Sequence, residues 1–294
     1  MSAQILFVTG KGGVGKSTVA AALALKKAQS GLKTLLVEIG DQSFYKDFFH
    51  LPKVGYTPTV LQENLSVALW TGQDCLREYI VHLIKVEALY KLFFENAVMK
   101  AFINVAPALP ELAIMGKAPS GPRKHGPKLA YDCLVIDAYA TGHFMALVGA
   151  ATGMAQAVKF GPMGEQSRGI DKVLRDPKLC EYYLVCLPEE LPVKETEELY
   201  AELESKFEIT PHIVLNKCFE TAKGQTIAAS EFKAAESSAS DEFQQFAKEH
   251  KQNIALHAEM KKRLEKLSEN VSVLPPVWDH ETKNLLAELA SRLP

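Results

Sequence analysis

Directly after the apolar run Ile5-Leu6-Phe7-Val8 the chain reads Gly10-Lys11-Gly12-Gly13-Val14-Gly15-Lys16-Ser17-Thr18. This is the pattern G-x-x-x-x-G-K-[ST], with a strand signal before it and an Ala/Leu-rich, breaker-free helix signal after it. Glycines let the backbone wrap a phosphate chain with its N–H groups pointing inward. The helix that follows adds its partial positive charge at the same point. Lys16 is then expected against the β- and γ-phosphates and Ser17 on Mg²⁺, with Gly10 through Thr18 forming the cradle. Few local sequences constrain a fold as strongly. Strand, loop and helix must follow one another in that order.

The rest of the chain agrees with an α/β reading. Strand-like runs fall at 5–9, 34–39, 65–70, 132–136, 182–187 and 213–215. All but the third are nearly continuous in apolar residues, as strands covered on both faces are. Helical segments lie between them, which predicts a doubly wound, mostly parallel sheet. No internal repeat is visible, so residues 1–294 read as one unit. Two apolar helical stretches exceed what such a unit needs: an insertion over about 76–128 and a continuation over 144–165. Apolar residues cover more than one face of the first, so it has two sides to bury. Residues 118–128 carry three prolines and two glycines and read as a mobile surface loop. Residues 220–240 are polar, and helix and disorder stay equally open there.

Composition narrows the function classes. A net charge of −2 provides no electrostatic footprint for nucleic acid. The five cysteines are scattered, with no C-x-x-C pair, so neither a disulfide framework nor a thiolate zinc site is expected. The chain enters its first strand and loop at once, leaving no signal peptide, and no run of 18 apolar residues is present. A cytoplasmic protein is the expectation.

Other candidate site residues follow from what a phosphate loop needs nearby. Asp137 closes the run Cys133-Leu134-Val135-Ile136, either as the acidic group near Mg²⁺ or as a helix N-cap. Gly142, a few residues on, can present its N–H to a γ-phosphate. Asn216-Lys217 follows a strand, where a turn is the plain reading. Lys11 is a second lysine inside the loop. On chemistry alone it is either a solvated loop cation or a group that acts elsewhere.

The string K-G-G-V-G-K-S resembles the deviant phosphate loop of the Min and Par ATPases, the nitrogenase iron protein, and the arsenical pump-driving and tail-anchored-protein-targeting ATPases. Asp137-Ala138-Tyr139-Ala140-Thr141-Gly142-His143 is similar to the switch II motif D-T-A-P-T-G-H of the last two, the ArsA-like family, and Min and Par proteins lack its T-G-H. The run from Leu35 to Phe49 resembles their switch I, L-L-I-S-T-D-P-A-H-N-L-S-D-A-F, and places Asp47 on the aspartate that polarises the attacking water. The first aspartate of that motif has no counterpart in register, so Glu38 or Asp41 takes its work near Mg²⁺. An exposed acidic loop is the alternative for these carboxylates.

Further weak likenesses are Ala106-Pro107-Ala108-Leu109-Pro110-Glu111-Leu112, the segment ending in Glu195-Thr196, and Asn216-Lys217, which matches the place of the family's adenine-reading asparagine, an amide whose donor and acceptor complement adenine. Pro275-Pro276-Val277 follows the apolar run 271–274 as a candidate loop to close over adenine. The resemblance implies a P-loop fold of the SIMIBI type and a Mg²⁺-dependent ATPase acting on ATP as a homodimer. In it Lys11 reaches the partner's nucleotide, and apolar helices carry a hydrophobic protein or membrane-associated client. For the helices, core packing is the alternative to a methionine-lined groove. A nucleotide-dependent binding module with little hydrolysis is the alternative to the enzyme. A partition ATPase, which binds DNA, does not suit the charge.

Overall fold

The computed structural model describes residues 5–84, 109–123, 129–219 and 240–294. Among them, β1 (Ile5–Gly10), β2 (Thr34–Ile39), β3 (Thr59–Gln62), β4 (Leu65–Trp70), β5 (Cys133–Ala140), β6 (Cys180–Cys186), β7 (His212–Leu215) and β8 (Val271–Val273) form one sheet. The strand order is β3-β4-β2-β5-β1-β6-β7-β8. Every neighbouring pair is parallel except β3 with β4. The expected α/β architecture is present, with two strands more than the sequence signals. β3 is an edge strand only half covered, and β8 is three residues long. Neither is long or apolar enough to stand out in a sequence.

Helices cover both faces because the central strands are apolar throughout. Leu6, Val8, Leu36, Val135 and Val185 pack under α1 (Lys16–Gln29) and α10 (Thr282–Arg292). Ile5, Phe7, Leu35, Ile136 and Leu184 point to the opposite face. There they meet α4 (Leu109–Lys117), α6 (Thr141–Ala157), α7 (Gly161–Leu174), α8 (Glu190–Phe207) and α9 (Asp241–Leu267). Alternation along each strand thus feeds two cores from one run of residues. All five cysteines are buried and unbridged.

The helical insertion is described only at its ends, by α3 (Gly72–Ile84), α4 and α5 (Ser120–Arg123). Residues 85–108, with Met99 and the start of the proline-rich likeness, lie outside the described residues. Lys117 is the pin at this end. Its ammonium group is buried, 2.7 Å from Glu78 Oε2, and stands over the rings of Tyr56 and Trp70 at 3.9 and 4.7 Å. A buried cation demands such a carboxylate and such π faces.

Residues 118–123 correct the expectation of a loop. Ala118 and Ser120 are buried, and α5 closes with Arg123 N–H donating to Pro119 O at 3.0 Å. The Arg123 guanidinium also donates to Gly116 O at 3.2 Å. Proline here starts a helical turn instead of preventing one. The 144–165 continuation divides at 158–160, where α6 ends and Pro162 opens α7. Ser240 closes the undescribed stretch before it and caps α9, accepting from Phe243 N–H at 3.4 Å.

Candidate nucleotide site

The site sits at the carboxyl ends of β1, β2, β5 and β7, the edge where open α/β sheets take ligands. β1 ends in Gly10, whose φ of 146° and close approach to Val185 O leave no room for a Cβ. Gly15, at φ 94°, caps α1 from the left-handed region. Val14 between them is buried and anchors the loop to the core under α1. Lys16 folds back over the loop, its Nζ donating to Lys11 O at 3.1 Å. Burial holds its ammonium below the usual lysine range, with Asp137 pulling the other way. Ser17 and Thr18 lie in the first turn of α1.

Asp137 faces this loop from β5. It is in register with Val8 of β1 and with Glu38 of β2. β5 runs three residues past it, and α6 takes Ala140 as its N-cap, so Asp137 is not a capping residue. Burial pushes its carboxyl up to about 6, a neighbouring Glu38 adds to this, and bonds from Ser17 and Tyr45 oppose it. Thr9 Oγ1 donates to Tyr139 O at 2.7 Å, tying the strand before the loop to the one that carries Asp137. Gly142 lies exposed in the first turn of α6, at its positive end.

The stretch that resembles switch I is built around α2 (Phe44–Phe48). Glu38, almost fully buried, accepts from Ser43 Oγ at 2.6 Å and from Phe44 N–H at 2.7 Å. Both its oxygens therefore grip the start of α2. Tyr45, fully buried, extends its hydroxyl to Ser17 O at 2.9 Å and Asp137 Oδ2 at 3.2 Å. Asp47 and Asp41 are exposed. Sequence reasoning passed over Tyr45; the one signal for it was an aromatic where the resembled switch I string has leucine.

Two further groups complete the surroundings. Lys11 turns away from its own loop and pairs with Glu195 Oε1 on α8 at 2.7 Å, both side chains about a third exposed. Asn216, buried in the turn after β7, donates from Nδ2 to Val14 O at 2.9 Å and accepts from Lys217 N–H at 3.0 Å. Its amide thus supports the phosphate loop from below. Lys217 is exposed at φ 55° in the same turn. Cys218 N–H donates to Leu274 O at 2.9 Å, which brings Pro275 alongside. The loop from Pro275 to Asp279 walls an open concavity of about 700 Å³ against α10, with Trp278 exposed.

A loop of this geometry between β1 and α1, facing an acidic residue on the adjacent strand, defines a P-loop nucleotide-binding protein. Residues 3–164 and 153–275 match the family described as anion-transporting ATPase, and the chain belongs to that ArsA family. The ATPase BagA of Mycobacterium tuberculosis is 32% identical over 214 residues, 68% of this chain and 61% of that protein. The ATPase get3 of Schizosaccharomyces japonicus is 24% identical over 251 residues, 74% of this chain and 75% of that one. The chain thus spans 61% of the length of its mycobacterial relative.

The helices on the far face bear on the client reading. Met115 is buried and Met145 packs on the core, as core packing requires. Met154 instead lines an apolar groove of about 340 Å³ along α6 with Ala146, Gly149, Ala150, Gly153 and Ala157. The side chain of Met163 lies outside the described residues. No helix among the described residues is long and apolar enough to cross a membrane.

Proposed function

We propose that this chain is a cytoplasmic, Mg²⁺-dependent ATPase that works as a homodimer and uses its nucleotide state to control a hydrophobic protein or membrane-associated client. The observation that carries the reading is the phosphate loop with Lys16 folded over it and Asp137 alongside Ser17. Residues 10–18 bind the phosphate chain through backbone N–H groups and the Lys16 ammonium. Asn216, Lys217 and Pro275 are the residues that would border the base. Asn216 also holds the loop's shape, so it acts on binding twice.

The donors around Asp137 are oxygens, the kind Mg²⁺ takes. Ser17 and Asp137 are the residues that would hold the ion, and Glu38 stands beside them as the grip on α2. A bound Mg²⁺ neutralises charge that develops on the phosphate oxygens. Asp47 orients the attacking water and Gly142 N–H reads the γ-phosphate. Lys11 acts on the partner's nucleotide, which requires release of its pair with Glu195.

A nucleotide-controlled binding module with little turnover is favoured by one observation: Asp47, the candidate water-orienting group, is exposed. Phosphate release from purified protein with Mg-ATP decides between the two. Release that disappears in Lys16→Ala and Asp47→Asn supports the enzyme, whereas ATP binding without release supports the module. Lys11→Ala is expected to lower turnover while ATP affinity stays; normal turnover in that variant would exclude the trans role.

A further inference from the structure

α2 and its C-cap carry four aromatic residues within six positions, Phe44, Tyr45, Phe48 and Phe49, and they are not equivalent. Phe44 is exposed, whereas Tyr45 is wholly buried, stacked on Phe49 at 5.7 Å and edge-on to Phe44 at 5.4 Å. Packing alone would be met by phenylalanine, because a buried hydroxyl without a partner is costly. The hydroxyl here has partners of a particular kind. Ser17 O, at 2.9 Å, belongs to the phosphate-loop end of α1, and Asp137 Oδ2, at 3.2 Å, belongs to β5. Its one proton reaches either oxygen. Residue 45 is therefore the point at which switch I touches both other parts of the site.

We infer that Tyr45 is a positioning residue for ATP hydrolysis, its hydroxyl fixing α2, and with it Asp47 two residues on, against the phosphate loop and Asp137. Glu38 fixes the start of α2 through Ser43 and Phe44, so the two residues hold the segment from two directions. The inference rests on the reading of Asp47 as the water-orienting group. A five-residue helix has almost no stability of its own. Where Asp47 points is set by what α2 is tied to.

The test is a double-mutant cycle of Tyr45→Phe and Asp47→Asn in the full chain, read by phosphate release, by equilibrium binding of a fluorescent ATP analogue, and by amide exchange over residues 43–49. Tyr45→Phe keeps the buried ring and removes one oxygen atom, so folding is retained. The expected result is a turnover lowered about tenfold, on the scale of a lost hydrogen bond to a charged group. KM and analogue affinity stay within about twofold, and exchange over 43–49 is faster. The double variant is no slower than Asp47→Asn alone, since the tyrosine acts through the aspartate. Wild-type turnover in Tyr45→Phe, with Asp47→Asn slow, overturns the inference and leaves the function reading standing. So do losses that multiply in the double variant. Normal turnover in Asp47→Asn removes the reading of Asp47 and the inference with it.

Discussion

The phosphate loop and switch I face each other across the same site, yet they are held by different means. Residues 10–18 are shaped mainly by the backbone, with a glycine pressed against Val185 O and another in the left-handed region, and a single side-chain amide, that of Asn216, braces Val14 from outside the loop. Switch I is shaped by side chains. Glu38 grips Ser43 and Phe44, and Tyr45 reaches Ser17 and Asp137. A backbone-built element keeps its form while nucleotides come and go. An element hung on two side chains can let go, which is what a switch requires. Under the proposed function, rigidity sits where phosphate is gripped and a releasable tie where Asp47 orients water.

The largest effect that would break this contrast is on the gripping half. Lys16→Ala is expected to cut phosphate release by roughly 100- to 1,000-fold, the scale of removing one charge-stabilising donor. ATP affinity should fall as well, since the same ammonium binds the ground state. Turnover lost at unchanged affinity would move Lys16 to the switching side of the comparison.

Next in size is the pH dependence that Asp137 brings to folding. Its carboxyl rises from 3.8 to about 6 in the folded chain, chiefly through burial. Between those two values the unfolded chain has released a proton that the folded chain still holds. Stability therefore falls as pH rises from about 4 to 6, by roughly 3 kcal/mol in all. In nucleotide-free protein, Asp137→Asn should flatten that slope in urea unfolding at a series of pH values. An unchanged slope would mean that the bonds from Ser17 and Tyr45 outweigh burial.

Asn216→Ala comes third. Losing one buried hydrogen bond under the loop corresponds to about 1–1.5 kcal/mol, so ATP affinity should drop about tenfold with turnover at saturation changed less. The smallest effect is expected at the Lys11–Glu195 pair. Both partners are about a third exposed, and such pairs contribute at most about 1 kcal/mol. Glu195→Gln should leave the melting temperature within about 3 °C of the unmodified chain. A larger loss would make the pair a structural strut.

The same contrast explains what could be read from the sequence. The loop lies in nine consecutive residues, and glycine positions announce its geometry without help from the rest of the fold. The central strands were equally plain, because residues buried on both faces must be apolar. Asp137 followed from the apolar run before it. β3 was too short and too exposed to register as a strand, and β8, inside the apolar run 271–274, was too short. The helical turn at 118–123, buried only over 118–120, was hidden because proline and glycine signal a loop just as well as a helix start.

Tyr45 was the hardest to read, since its partners Ser17 and Asp137 lie 28 and 92 residues away. Lys11 was legible as an oddity of the loop, but its bond to Glu195, 184 residues distant, was not. Local geometry writes itself into a sequence; pairings across elements do so only when a fold brings them together.

One measurement tests the division of labour most directly: ATP binding and a single turnover of bound ATP, followed in parallel for the unmodified chain and Asp47→Asn. The expected result is an unchanged dissociation constant, within about twofold, and phosphate release slowed about 100-fold, the scale of a lost general base. Binding and release falling together, or release that proceeds at the unmodified rate, would contradict it.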